Sequence, residues 1–389
     1  MFGLSNNVVI VFGIIGVAVL ILIILFMSYY RTIITIANFA YPNAKLKAIG
    51  TPFINKEQLL ELLESRSVSE VLSKIEAEGY KIEDGNIEYS LDKTLISQMK
   101  ALTSSMPEGA RPLFDAYLTK LDVNQLKNII RMKNSGVEKE EILKKALPVK
   151  NLTSELISDL ADAKDIETMV SMLKETPFND AFKTETYDPM ISYEANSEDF
   201  TEKPGAFPKM ERMLDKYVYE KLRNATLKVD VDVAPCVSVF VGRYADIMNL
   251  KILIRSRKTG YDSDVLETFL VGKGREMAEW KLHEMALATN VQEIISETEG
   301  TTYAHPLKEA LPEYEKTGSV YPLEAALDRH LLKTMSALSL EHGLTVGIPI
   351  RFAVAKEYEV RNINAVIKGV SEGMSPEKIK PLLITEDAL

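Results

Sequence analysis

The chain has 389 residues, 46% hydrophobic and 26% charged, with 46 basic against 56 acidic side chains and a net charge of −10. That composition is ordinarily globular, and its acidic balance argues against a nucleic-acid binder. Cys236 is the only cysteine, which excludes a disulfide framework and a cysteine-rich zinc site. The four histidines, His283, His305, His330 and His342, have no metal-ligand spacing, so neither a metal nor another cofactor is expected.

No charged side chain precedes Arg31, and Val8 to Met27 is apolar throughout. As a helix this stretch is roughly 30 Å long, enough to cross the hydrocarbon core of a bilayer. Tyr29, Tyr30 and Arg31 follow in the order of an interfacial belt and a water-side charge. Arg31, Lys45 and Lys47 all lie on the C-terminal flank, so the positive-inside rule predicts a cytoplasmic body on a cell membrane. Residues 1–36 are therefore set apart as a membrane segment.

Apolar residues at helical spacing then predict helices over 56–78, 138–147, 152–174, 210–223, 263–294 and 323–341. The alternating run 227–241 is the one strand-like stretch, and Pro235 weakens it as a central strand. Residues 177–208, rich in Pro and polar side chains, read as a linker. Trp280 is expected in a core.

Three copies of one pattern organise the rest. DVNQLKNIIRMKNSG starts at Asp122, DIMNLKILIRSRKTG at Asp246, and a weaker EVRNINAVIKGVSEG at Glu359. Each predicts a helix opened by Asp122, Asp246 or Glu359 as N-cap and closed by Gly136, Gly260 or Gly373 in a left-handed conformation. An apolar residue follows each glycine six positions on, at Ile142, Leu266 and Ile379. Lys127 and Arg131, like Lys251 and Arg255, share a helix face at i, i+4; the third copy has Asn364 and Lys368 there, near Arg361. These basic side chains either dock an acidic partner or pair with carboxylates of neighbouring helices, and the second is favoured. The domain plan is 37–176, linker 177–208, 209–317 and 318–389.

No local motif carries chemistry. The sequence has no G-x-x-x-x-G-K-S/T phosphate loop and no G-x-S-x-G elbow, and Gly272-Lys273-Gly274 is too short to cradle a triphosphate. The chain is not expected to be an enzyme.

The repeats, together with Tyr41-Pro42-Asn43-Ala44 and the run Lys356-Glu357-Tyr358-Glu359-Val360-Arg361-Asn362-Ile363, resemble the C subunit of archaeal A-type ATP synthases, which is similar to the d subunit of vacuolar-type ATPases. The resemblance implies an all-α fold of three similar domains in a pseudo-threefold funnel, here preceded by one transmembrane helix. It implies a rotor element between a membrane proteolipid ring and the D and F subunits of the central stalk, reaching the catalytic A and B subunits only indirectly. No nucleotide or nucleic acid would be bound, and residues 8–27 would meet lipid or the ring interior. A membrane-anchored helical scaffold without a rotary role is the alternative.

Overall fold

The computed structural model describes residues 6–49, 54–83, 86–183 and 206–386. Among them every regular element is helical. In chain order these are α1 (Asn6–Ile49), α2 (Lys56–Leu63), α3 (Val68–Ala77), α4 (Ile87–Ser105), α5 (Arg111–Asn134), α6 (Lys139–Lys145), α7 (Ser154–Asp162) and α8 (Ile166–Lys174). There follow α9 (Ala206–Thr226), α10 (Ala234–Thr259), α11 (Ser263–Phe269), α12 (Glu279–Leu287), α13 (Val291–Glu297), α14 (Ala304–Thr317), α15 (Tyr321–Glu341), α16 (Gly347–Ser371) and α17 (Pro376–Ile379).

The three sequence copies lie in the long helices α5, α10 and α16. Their apolar triplets Leu126–Ile129–Ile130, Leu250–Leu253–Ile254 and Ile363–Val366–Ile367 are all buried, as one face at helical spacing should be. Gly136, Gly260 and Gly373 have φ of +71°, +90° and +68°, which a side chain would resist. The chain thereby turns back so that Ile142, Leu266 and Ile379 drop into the core. Each long helix packs on a leading helix before it: α5 on α4, α10 on α9, α16 on α15. It also packs on the leading helix of another copy, α5 on α9, α10 on α15 and α16 on α4, so the contacts close on themselves.

Several expectations are corrected. Asp122, Asp246 and Glu359 are not N-caps; they lie in the middle of α5, α10 and α16, which begin eleven to twelve residues earlier. The stretch 227–241 holds no strand: Pro235 sits in the first turn of α10, where its missing N–H costs nothing. The segment 263–294 is three short helices rather than one, because residues 270–278 leave the helix to bond to α10. Trp280 is 64% exposed on α12 and belongs to no core. Of the expected linker, residues 177–182 form a 3-10 turn and 184–205 lie outside the described residues.

Among the described residues one helix, α1, is long and apolar enough to cross a membrane. Its C-terminal part is held on the body by a stripe of buried residues, Thr35, Phe39, Asn43 and Leu46. The side chains from Phe12 to Met27 are exposed.

Candidate coupling site where three helices meet

In the first two copies the aspartate holds the strand of chain that returns after its helix. Asp122 accepts from the backbone N–H groups of Lys150, Asn151 and Leu152 at 2.8, 3.0 and 3.1 Å. Asp246 does the same for Arg275, Glu276 and Met277 at 3.0, 2.9 and 3.0 Å, and also accepts from the Tyr303 hydroxyl. Both carboxylates are fully buried, and burial raises their pKa although the N–H donors oppose it. Glu359 instead accepts from Lys356 and from the Tyr80 hydroxyl. Burial pushes the Lys356 ammonium down to about 8 against the pull of Glu359.

A second position repeats in all three copies. Gln125 accepts from the N–H of Leu147, Asn249 from Val271 and Asn362 from Ile384, at 3.2, 2.9 and 2.8 Å, each 22 residues downstream. An amide side chain can donate and accept at once, which suits it to backbone that lacks a helical or strand partner. Asn249 and Asn362 use that capacity fully, donating to Gly272 and Ile384.

Behind these loops a pair of short helices recurs. Asn55 and Ser67, Thr153 and Asp165, and Ala278 and Asn290 are the residues preceding each pair, twelve apart every time. Thirteen residues after Ser67, Asp165 and Asn290 stand the buried rings of Tyr80, Phe178 and Tyr303. The pair α2–α3 thus packs on α16 as α12–α13 packs on α10.

The basic side chains bridge the copies. Lys127 Nζ lies 2.5 Å from Asp215, and Arg131 the same distance from Glu211, both on α9. Lys251 lies 2.5 Å from Asp328 on α15, and Arg255 forks onto Glu324. Arg361 joins Asp328 at 2.6 Å from α16. Burial would raise the Asp328 pKa, but Lys251 and Arg361 outweigh it and hold the carboxylate below its usual range. The acceptors form a motif that sequence reading missed: Glu211-x-x-Leu-Asp215 and Glu324-x-x-Leu-Asp328, matched on α4 by Glu88-x-x-Leu-Asp92. Repetition of these five residues at the spacing of the copies was the available signal. Against α4 the third copy offers Asn364 and Lys368; Lys368 is exposed and forms no ion pair among the described residues. Asp92 accepts from Gln125 at 2.8 Å, and burial raises its pKa.

The three long helices touch at equivalent positions. Lys120, Tyr244 and Glu357 each stand two residues before Asp122, Asp246 and Glu359. Lys120 Nζ is 2.7 Å from Glu357 and 5.0 Å from the centre of the Tyr244 ring, while Tyr117 donates to Glu357. Burial alone would lower the Lys120 pKa; Glu357 and Tyr244 reverse that and keep the ammonium charged. One turn beyond this knot opens a cavity of about 590 Å³, lined by Asp92, Gln125, Asn128, Arg131, Arg361 and Asn364.

No group of three metal-ligating side chains that could hold an ion exists among the described residues. The class is that of an all-helical protein in which one sequence pattern recurs on three long helices. The profile of the ATP synthase (C/AC39) subunit family matches residues 42–382, and the chain belongs to that family, whose members are non-catalytic and structural. Similar proteins include the C subunit of the A-type ATP synthase of Methanocaldococcus jannaschii, 32% identical over 91% of this chain and 88% of that relative. The same subunit of Methanothermobacter thermautotrophicus is 30% identical over 91% and 89%, and that of Methanobrevibacter smithii 28% identical over 98% and 97%.

Proposed function

We propose that the protein is the C subunit of an A-type ATP synthase and acts as a rotor element between a membrane proteolipid ring and the central stalk. The observation that carries this reading is the closed order of contacts: each long helix is braced by its own leading helix and by that of the next copy. Packed helices joined in a circle resist twisting, which torque transmission requires. On this reading α5, α10 and α16 form a pseudo-threefold funnel, closed at Lys120, Tyr244 and Glu357. It widens towards the cavity beyond them, where the foot of the stalk (the D and F subunits) would seat. The catalytic A and B subunits are reached through that stalk.

The three units are α4–α8, α9–α14, and α15–α17 completed by α2–α3. The third is thus closed by helices from the other end of the chain, which support the same reading by locking the circle. α1 would fix the cytoplasmic body to the membrane part and rotate with the ring. The test is recovery of the full-length protein from its native membrane in mild detergent, with partners identified by mass spectrometry. Co-recovery of ATP-hydrolysing subunits and a small proteolipid is expected. Recovery of neither would refute the rotor role in favour of a membrane-anchored scaffold.

A further inference from the structure

The pair α2–α3 serves the third copy without being continuous with it in the chain. α12–α13 stands between the return segment of its own unit and α14, whereas α2–α3 stands between α1 and α4 and sits on α16. The chain leaving α3 straddles the junction of α16 with α4. On one side the Tyr80 hydroxyl donates to Glu359 of α16. Lys356 meets the same carboxylate at 2.7 Å, with its ammonium 4.6 Å from the centre of the Tyr80 ring, and all three side chains are buried. On the other side, three residues on, the N–H of Glu83 donates to Ser90 Oγ of α4 at 2.9 Å. The Glu83 carboxylate also pairs with Lys93 of α4 at 2.6 Å.

The first copy makes a comparable crossing onto α9. Tyr217 of α9 donates to the carbonyl of Pro177 at 3.0 Å, and Lys221 pairs with Asp180 at 2.8 Å. There the crossing is an addition, because Lys127 and Arg131 already tie α5 to α9. Among the described residues no ion pair joins α16 directly to α4, so at that junction the crossing carries the polar attachment. The seat of the pair is also incompletely filled. A cavity of about 180 Å³ lies between α2 and α16, lined by Ile54, Leu59, Ala355, Glu359, Ile363 and Ile384 among others. Side chains facing such a space forgo part of their packing attraction.

We infer that α2–α3, with the chain as far as Glu83, is a strap that holds the circle of helices closed at the junction of α16 with α4, and that Tyr80 on Glu359 is its latch. Release of the latch frees the pair from α16, and Glu83 then no longer links α4 to it. The circle opens at that junction, while the two junctions with their own ion pairs stay shut. An opened circle twists more easily than a closed one, so the latch sets the stiffness of the molecule. The strap follows from contacts within this chain and goes beyond the rotor reading, which partner recovery tests separately.

Hydrogen exchange read by mass spectrometry, on the full-length protein in mild detergent, tests the strap. In the wild type the amides of α2–α3 and α4 should open together, with one dependence on denaturant, and more readily than those of α9 and α10. Tyr80→Phe removes a single oxygen, but one bonded to a charged group. It should speed exchange in α2–α3 and α4 alike by ~10-fold or more and leave α9 and α10 unchanged. Tyr217→Phe makes the same change at the first-copy crossing and should affect α5 and α9 far less. Faster exchange in α2–α3 with α4 untouched would overturn the inference. So would acceleration of every helix alike by Tyr80→Phe, which marks a plain core contact. The wild type decides independently of either variant: separate denaturant dependences for α2–α3 and α4 would also overturn it.

Discussion

At the scale of single residues, the buried aspartates of α5 and α10 act as receptors for backbone. Replacing Asp246 by Ala strands three N–H groups and the Tyr303 hydroxyl, and an unsatisfied buried donor costs about 1–3 kcal/mol. A loss of at least ~3 kcal/mol is expected for Asp246→Ala, read as a fall in the denaturant midpoint, with a similar fall for Asp122→Ala. Lys356 gives a pH signature. Its folded pKa, about 8, is below its ordinary 10.5, so between these values the unfolded chain holds a proton that the folded chain has released. Stability should therefore rise with pH above 8, by up to ~1.4 kcal/mol per unit. Unfolding curves from pH 8 to 10 check it, and Lys356→Met should flatten the slope. Cys236, fully buried on α10 and pushed up to about 12 by burial, should react with a thiol reagent only as the protein unfolds.

At the scale of elements, the break in 263–294 has a cause that lies outside the segment. Hydrophobic spacing there is helical, yet the backbone of 271–277 is drawn out by Asn249 and Asp246. Gly274 is part of that contact, since an added Cβ would stand 1.8 Å from Asp246 Oδ1 and 2.8 Å from the carbonyl of Gly242. Gly136 has a positive φ but open space around it. Gly136→Ala should cost only the ~1–2 kcal/mol of a left-handed side chain. Gly274→Ala should cost more, because the Asp246 bonds themselves must shift. A comparison of the two melting temperatures decides whether the close approach or the backbone conformation matters more.

At the scale of the molecule, the circle of copies is uneven. Two junctions carry paired bridges, Lys127 and Arg131 to α9, Lys251 and Arg255 to α15. The junction of α16 with α4 has Asn364 and Lys368 at the equivalent positions of the repeat and carries no such pair among the described residues; Lys120 and Tyr117 reach Glu357 from α5 instead. Amide hydrogen exchange in α4 should accordingly be faster than in α9 or α15. Asn364→Lys with Lys368→Arg should slow α4 towards them. Equal protection of the three leading helices in the wild type would count against this account.

The sequence alone determined the helical class, the recurring helical pattern, the apolar span and the left-handed glycines, because each is written in short-range spacing. Lys127, Arg131, Lys251 and Arg255 were legible as a shared feature, but their partners were not. Those carboxylates lie 69 to 88 residues downstream, on helices that meet them only by packing. Asp122 and Asp246 misled for the same reason: an aspartate before an apolar run looks like a cap until the helix is seen to begin three turns earlier. Trp280 was assigned to a core by residue type, whereas the face of α12 that meets the body decides its exposure. That α2–α3 closes on α16, and that Lys120, Tyr244 and Glu357 meet, follows from the ring of contacts. A ring joins residues more than a hundred positions apart, and no local pattern encodes which ends will touch.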